Sequence, residues 1–269
     1  MRFGIVGNGV VGSATAKIWQ TVGEVRTWDI DPYKASHNFA KVAECDYVFI
    51  CVPTPGTDSG PLDCSLVMEV ATKLSVLEPM CAVIRSTVNV GTTRKFAEKS
   101  GWPTVFWPEF LSMRTAEQDA LNPICNLIGS TDLNREPEVN FYFTVKDRFS
   151  SPTVKHAEVV EAAKLFSNAY GAAHVSLMNE LSEIAEHNGL KWESVYECLK
   201  ATGRVNETYS QVPGHNGYGW RSHCWQKDLP ATLAMGDLWL QSVSMLDAAI
   251  KRNAIDTRRK MEELCPSPT

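Results

Sequence analysis

The spacing Gly7-x-Gly9-x-x-Gly12 restricts the fold of this chain more than any other feature, because of what flanks it. Arg2-Phe-Gly-Ile-Val6 before it reads as a short apolar strand, and Ala14-Thr-Ala-Lys-Ile-Trp19 after it has helical spacing. In such a unit one glycine makes the tight turn, one lets a pyrophosphate approach the backbone, and one lets helix and strand pack closely. Phosphates then rest on the N–H groups that open the helix, here those of Val10 and Val11. Asp29 follows Gly12 by seventeen residues, at the end of a second strand. A carboxylate there accepts hydrogen bonds from ribose hydroxyls and repels a 2′-phosphate, which predicts NAD in preference to NADP. Lys34 softens that preference.

Further strands are expected at 24–28, 46–52, 81–85, 104–106 and 124–128, with helices beginning near Gly9, Pro32, Ser65 and Gly91. Strands alternating with helices predict an α/β fold, a Rossmann-type doubly wound parallel sheet. Residues 131–153 are rich in turn formers and read as a sheet edge and linker. From Val154 to about Asn188 apolar residues recur at helical spacing until Asn188-Gly189 stops them. Further helices are expected over about 191–201 and from about Pro230 to Leu264, around a polar loop at 203–222. The organisation expected is an NAD-binding domain over 1–150 and an all-helical substrate and dimerisation domain over 151–269. The long helix carries more apolar surface than a small domain buries, so a homodimer is expected.

The composition narrows the partners. A net charge of −5 and the lack of a basic run argue against nucleic acid. No stretch is long and apolar enough for a membrane span, and Met1 leads straight into a strand with no signal-like segment. The eight cysteines are scattered, several in strand-like runs, which fits reduced thiols in a cytoplasmic protein with no disulfide framework and no metal site.

Five further segments follow the glycine loop in order: Val48-Phe-Ile-Cys-Val-Pro-Thr-Pro55 with Gly60 and Asp63; Arg85-Ser-Thr87-Val-Asn-Val-Gly-Thr-Thr93; Pro108-Glu109-Phe-Leu111; Lys164-Leu-Phe-Ser-Asn168-Ala-Tyr with Met178-Asn-Glu; and Gly217-Tyr-Gly with Cys224-Trp-Gln-Lys227-Asp228. In this order they resemble the UDP-glucose/GDP-mannose dehydrogenase family over nearly the whole length. The resemblance implies four-electron oxidation of a primary alcohol, on a sugar or sugar-nucleotide-like substrate, to a carboxylate. Cys224 would then be the nucleophile that carries a thiohemiacetal and a thioester. Lys164 and Asn168 would stabilise the oxyanion, Thr87 and Asp228 would order a water, and Glu109 would assist hydrolysis. Val52, Pro53, Thr54 and Thr87 are implied at the cofactor. Phe110, Leu111 and Arg204 are implied at the substrate, Arg204 from across a dimer interface.

The chain departs from the family pattern on the substrate side. The sequence ends where members of the family continue into a third, Rossmann-like domain. Trp107 replaces an asparagine, Arg85 replaces a lysine, and Ser112-Met113-Arg114 replaces a segment that carries a glutamate and a glycine. Trp220-Arg-Ser-His223 adds bulk, so Trp107, Trp220, Arg221 and Arg114 are candidates either to close the space that the family's third domain would cover or to form a rebuilt pocket for a smaller anionic or ring-containing small molecule. Structural alternatives stand beside these roles: Lys164 snorkelling to the surface, Glu109 capping a helix after Pro108, Arg204 as a solvated charge. Two other functional readings remain open. One is a two-electron alcohol or hydroxyacid dehydrogenase using Lys164 and Asn168, and the other is a non-catalytic NAD-binding dimeric scaffold.

Overall fold

The computed structural model describes residues 1–58, 60–78, 80–214, 217–237 and 244–258. Seven strands form one sheet: β1 (Arg2–Val6), β2 (Glu24–Trp28), β3 (Tyr47–Ile50), β4 (Cys81–Ile84), β5 (Thr104–Phe106), β6 (Leu127–Ser130) and β7 (Thr153–His156). Their order is β2-β1-β3-β4-β5-β6-β7, and β6 runs antiparallel to β5 while the other pairings are parallel. The helices of this part are α1 (Val10–Trp19), α2 (Phe39–Ala43), α3 (Ser65–Leu74), α4 (Thr92–Ser100), α5 (Ala116–Leu121) and α6 (Glu136–Arg148). After β7 come α7 (Ala157–His187), α8 (Trp192–Ala201), α9 (His223–Asp237) and α10 (Ser244–Asp256).

The chain divides into two compact units. The first contains Met1–Pro55 and Leu62–Lys164; the second contains Gly56–Pro61 and the chain from Leu165. In the first unit the central strands bury both faces, as a doubly wound sheet requires. Phe3, Ile5, Phe49, Val83 and Val105 pack with Ile18 and Trp19 of α1 and with Phe141 and Val145 of α6. Val6, Val48, Ile50, Ile84 and Phe106 pack with Val67, Val70 and Leu74 of α3 and Phe96 of α4. Side chains alternate between these two clusters along β1 and β3, which is the period-two signature of a strand.

Glu161 ties the start of α7 to this sheet. It is fully buried; its carboxylate accepts from the backbone N–H of Gly91 (2.6 Å) and of Thr93 (2.7 Å) and from the Thr93 hydroxyl (2.5 Å). It thereby satisfies orphan donors at the N-terminus of α4. Burial pushes the Glu161 carboxyl up from the ordinary carboxylate range, and these bonds oppose that push.

In the second unit α7 and α8 enclose one cluster, in which Met178, Ala185 and Trp192 meet Val212 and Tyr218. Another joins Ala169 and Ala172 of α7 to Trp220, Leu229 and the α10 residues Leu246 and Ile250.

Three sequence expectations are corrected. The segment 131–153 is not a linker: residues 136–148 form α6, and the edge strand β7 follows it. Glu136 and Glu138 stand in the first turn of α6 with a proline at its start, and Lys146 and Arg148 stand in the last turn, as the helix dipole favours. Pro32 opens only a short 3-10 turn, Pro32–Lys34, and the helix after β2 is α2. Finally, the helix expected from Pro230 begins at His223 and contains Pro230. Of its expected span, residues 238–243 and 259–264 lie outside the described residues. No helix among the described residues is long and apolar enough to cross a membrane.

Candidate active site

The glycine loop of the first unit divides its labour in a way that can be read atom by atom. Gly7 has φ +89°, and a Cβ there would stand 2.6 Å from the Cys51 carbonyl oxygen. A Cβ on Gly12 would stand 1.9 Å from the Gly7 carbonyl oxygen, so strand and helix touch at that point. A Cβ on Gly9 would meet nothing within 4 Å. The open side lies at the N-terminus of α1, which no side chain caps. Free N–H groups facing open space fit a pyrophosphate. Val10 is exposed and Val11 half-buried on that first turn.

Asp29 is half-buried just past β2, and two backbone bonds orient it. Its Oδ2 accepts from the N–H of Asn8 (2.6 Å) and its Oδ1 from that of Asp31 (2.9 Å). Each oxygen keeps a lone pair for a ribose hydroxyl. Lys34 pairs with Asp31 (3.5 Å), and its carbonyl accepts from the Asn8 carboxamide (2.7 Å). Asn8, an unreserved position in the glycine motif, is thus the brace of this corner. The loops after β3 and β4 are tied together: the Thr54 hydroxyl donates to the Thr87 carbonyl (2.6 Å) and the Ser86 hydroxyl to that of Val52 (2.6 Å). Thr54 and Thr87 are buried, Val52 is half-buried and Pro53 is exposed.

Also in the first unit, Lys164 is only 3% exposed. Its ammonium donates to the Glu109 carbonyl (2.6 Å), stands 3.7 Å from the Glu109 carboxylate, and lies 4.5 Å from the Phe110 ring centroid. The carboxylate in turn accepts from the N–H of Leu111 (2.6 Å). Snorkelling is ruled out for Lys164, and no helix begins after Pro108 for Glu109 to cap. The two preceding carbonyls, of Trp107 (2.9 Å) and Pro108 (3.5 Å), accept from the Arg85 guanidinium. Arg85 is buried, its ordinary ionisation pushed down to about 10 by that burial, and it stacks 4.0 Å from the Trp107 ring centroid. Three successive carbonyls are therefore held by two buried cations.

In the second unit, Asp228 is fully buried. It accepts from the Asn168 carboxamide (2.6 Å) and pairs with Lys227 (2.8 Å). Cys224 is half-buried in the first turn of α9, four residues before Asp228 and so on the same face of that helix. Lys164 and Asn168 are likewise four residues apart on α7.

The expected substrate residues differ in their settings. Phe110 and Leu111 stand at the Lys164–Glu109 pair. Trp107 and Trp220, 2% and 6% exposed, are packed into cores, and their indole N–H groups donate to Asn126 (3.3 Å) and Ser176 (3.1 Å). The Arg221 guanidinium donates to the Thr257 carbonyl (2.7 Å), and Arg204 is exposed. Trp107 and Arg85, two departures from the family pattern, meet each other in space. A flat cation on an indole face replaces whatever a lysine and an asparagine do there. Trp107→Asn and Arg85→Lys should therefore couple. In a double-mutant cycle read by urea unfolding, a coupling energy of about 1–2 kcal/mol is expected, and additive losses would contradict the pairing.

Two models of one family match this chain. The UDP-glucose/GDP-mannose dehydrogenase NAD binding domain matches residues 29–144, and the central domain of the same family matches residues 158–254. The UDP-glucose 6-dehydrogenase AglM of Haloferax volcanii is 27% identical over 254 residues, 87% of this chain and 58% of that protein. The UDP-glucose 6-dehydrogenase of Pseudomonas aeruginosa is 26% identical over 79% of this chain and 49% of its own length. The chain thus spans about half the length of these curated relatives. Among solved structures, a UDP-glucose dehydrogenase from Pyrobaculum islandicum superposes with a TM-score of 0.83 at 23% identity, over 94% of this chain and 68% of that one. The 3-hydroxyisobutyrate dehydrogenase of Mycobacterium tuberculosis shares the fold with a TM-score of 0.74 at 19% identity, over 94% and 92%. With both domain models matched in order along one Rossmann sheet and its helical successor, the chain belongs to the UDP-glucose/GDP-mannose dehydrogenase family.

Proposed function

We propose that this protein is an NAD-dependent dehydrogenase that oxidises a primary alcohol of a sugar or sugar-nucleotide-like substrate to a carboxylate, through a thioester on Cys224. The observation that carries the reading is the buried Lys164 ammonium. It is held by the Glu109 carbonyl, the Glu109 carboxylate and the Phe110 ring, which makes it a fixed positive charge of the kind an oxyanion stabiliser supplies. The open Gly9 face, the uncapped start of α1 and the oriented Asp29 support NAD. NAD, when bound, takes up hydride, and oxidation of an alcohol to a carboxylate needs two such uptakes.

The chain's own groups do the rest. Lys164 stabilises negative charge on the substrate oxygen as the alcohol loses its proton, which is the condition for a hydride to leave carbon. The Cys224 sulfur adds to the aldehyde carbon and, after the second hydride departs, holds the acyl group as a thioester. Water ordered by Thr87 and Asp228, with Glu109 accepting its proton, attacks the acyl carbon. The carboxylate is released and the thiol is restored. Asn168, which donates to Asp228 (2.6 Å), steadies the same carboxylate.

Incubation with UDP-glucose, GDP-mannose and smaller sugar acids and alcohols should identify a substrate that yields two NADH and one carboxylate per molecule. Cys224→Ala should then lose aldehyde oxidation by several orders of magnitude. Cys224→Ser should accumulate an ester, because an alkoxide leaves far less readily than a thiolate. One NADH per turnover with full activity in Cys224→Ala would instead establish the two-electron reading with Lys164 and Asn168.

The same reading includes a homodimer through α7. Phe166, Tyr170, Leu177 and Ile184 are each about half exposed. At 100° per residue they fall within an arc of about 40°. Light scattering should report a dimer at micromolar concentration, and Leu177→Glu should weaken it at least about tenfold. A monomeric wild-type protein would contradict this assignment.

A further inference from the structure

The loop that leads into Cys224 is gripped by two carboxamides from two helices of the second unit. In α7, Asn179 is 1% exposed; its Oδ1 accepts from the N–H of Gly219 (3.1 Å), and its Nδ2 donates to the Val175 carbonyl (2.8 Å). In α10, Asn253 takes both backbone groups of Trp220. Its Oδ1 accepts from the Trp220 N–H (2.7 Å), and its Nδ2 donates to the Trp220 carbonyl (3.1 Å). A carboxamide has the donor and acceptor of a peptide unit, so this pairing reproduces one rung of a β-ladder with a side chain.

The backbone lies directly against α10 at this point. Gly219 has φ +70°, and a Cβ there would stand 2.5 Å from the Asn253 Oδ1. Beyond the grip, the indole of Trp220 enters the core shared by α7 and α9. The next aromatic residue, Trp225, packs edge-on against Trp220 (6.4 Å between centroids) and against Tyr209 (4.9 Å). A Cβ on Gly171 would stand 2.8 Å from the Trp225 ring, so no larger residue fits there without moving it. Cys224 lies between these two fixed tryptophans in sequence.

We propose that Asn253 is a positioning residue for the Cys224 thiol. By holding both backbone polar groups of Trp220 it sets where α9 begins, and with that the direction of the side chain at the second residue of the helix. The consequence for turnover rests on Cys224 being the nucleophile; the consequence for the thiol itself does not. Loss of the carboxamide leaves the Trp220 N–H and carbonyl without these two partners and lets the loop shift against α10. A thiol at a helix start owes its ionisation to that placement, so its reactivity reports the grip.

The test is the alkylation rate of Cys224 by iodoacetamide in the full chain, followed by peptide mass spectrometry from neutral to alkaline pH. The variants are Asn253→Ala, Asn253→Ser and Asp247→Ala. Asp247→Ala removes an exposed ion pair of α10 with Lys251 and leaves the loop contacts untouched. Asn253→Ala and Asn253→Ser should change the rate about tenfold and move the midpoint of its pH profile, while Asp247→Ala keeps the wild-type profile. If the alanine variant does not fold, the serine variant decides. A wild-type profile in a folded Asn253 variant overturns the proposal, as does an equal shift in Asp247→Ala. Alkylation needs no substrate, so a shifted profile beside a single NADH per turnover would refute the thioester reading and leave this proposal standing.

Discussion

The ammonium of Lys164 on the carbonyl of Glu109 is the interaction on which the architecture of the first unit converges. A buried ammonium is tolerated only with several partners, and this one has a carbonyl, a carboxylate and an aromatic face. It draws the turn after β5 to the start of α7. Arg85 fixes the two preceding carbonyls of that turn, and Glu161 fixes the same stretch of α7 to α4. The Glu109 carboxylate is thereby held by the Leu111 N–H and by a cation.

Arg85 and Trp107 are one exchange made at two positions, because the guanidinium lies on the indole. Trp220 likewise fills core volume between helices of the second unit. In both changes the indole is buried within its own unit, Trp107 at 2% and Trp220 at 6% exposed. At the turn itself, Phe110 and Leu111 stand beside the Lys164–Glu109 pair.

Much of this was legible in the sequence because it was local. Glycine spacing, strand patterning and a carboxylate at a fixed offset specify the dinucleotide corner within thirty residues, and helical periodicity specifies α7. The sequence misled where local signals compete. Turn formers at 131–137 mask α6 despite its acidic start and basic end, and Pro230 reads as a helix start although α9 already begins at His223. Partners distant in sequence were not legible at all. Glu161 reaches Gly91 and Thr93, Asn253 reaches Trp220, and Asn8 reaches Lys34. Each is an ordinary polar residue until the fold shows which buried backbone groups it satisfies.

In the function proposed for this protein, the buried Lys164 ammonium stabilises the oxyanion from which hydride leaves. The most direct test of that role is the single-turnover rate of NADH formation, in Lys164→Ala against wild type, with a substrate that the wild-type protein oxidises and with NAD affinity measured alongside. The rate should fall by roughly 10²–10³, the usual consequence of losing one oxyanion stabiliser, while NAD binds as before. A folded Lys164→Ala protein that forms NADH at the wild-type rate would contradict the account.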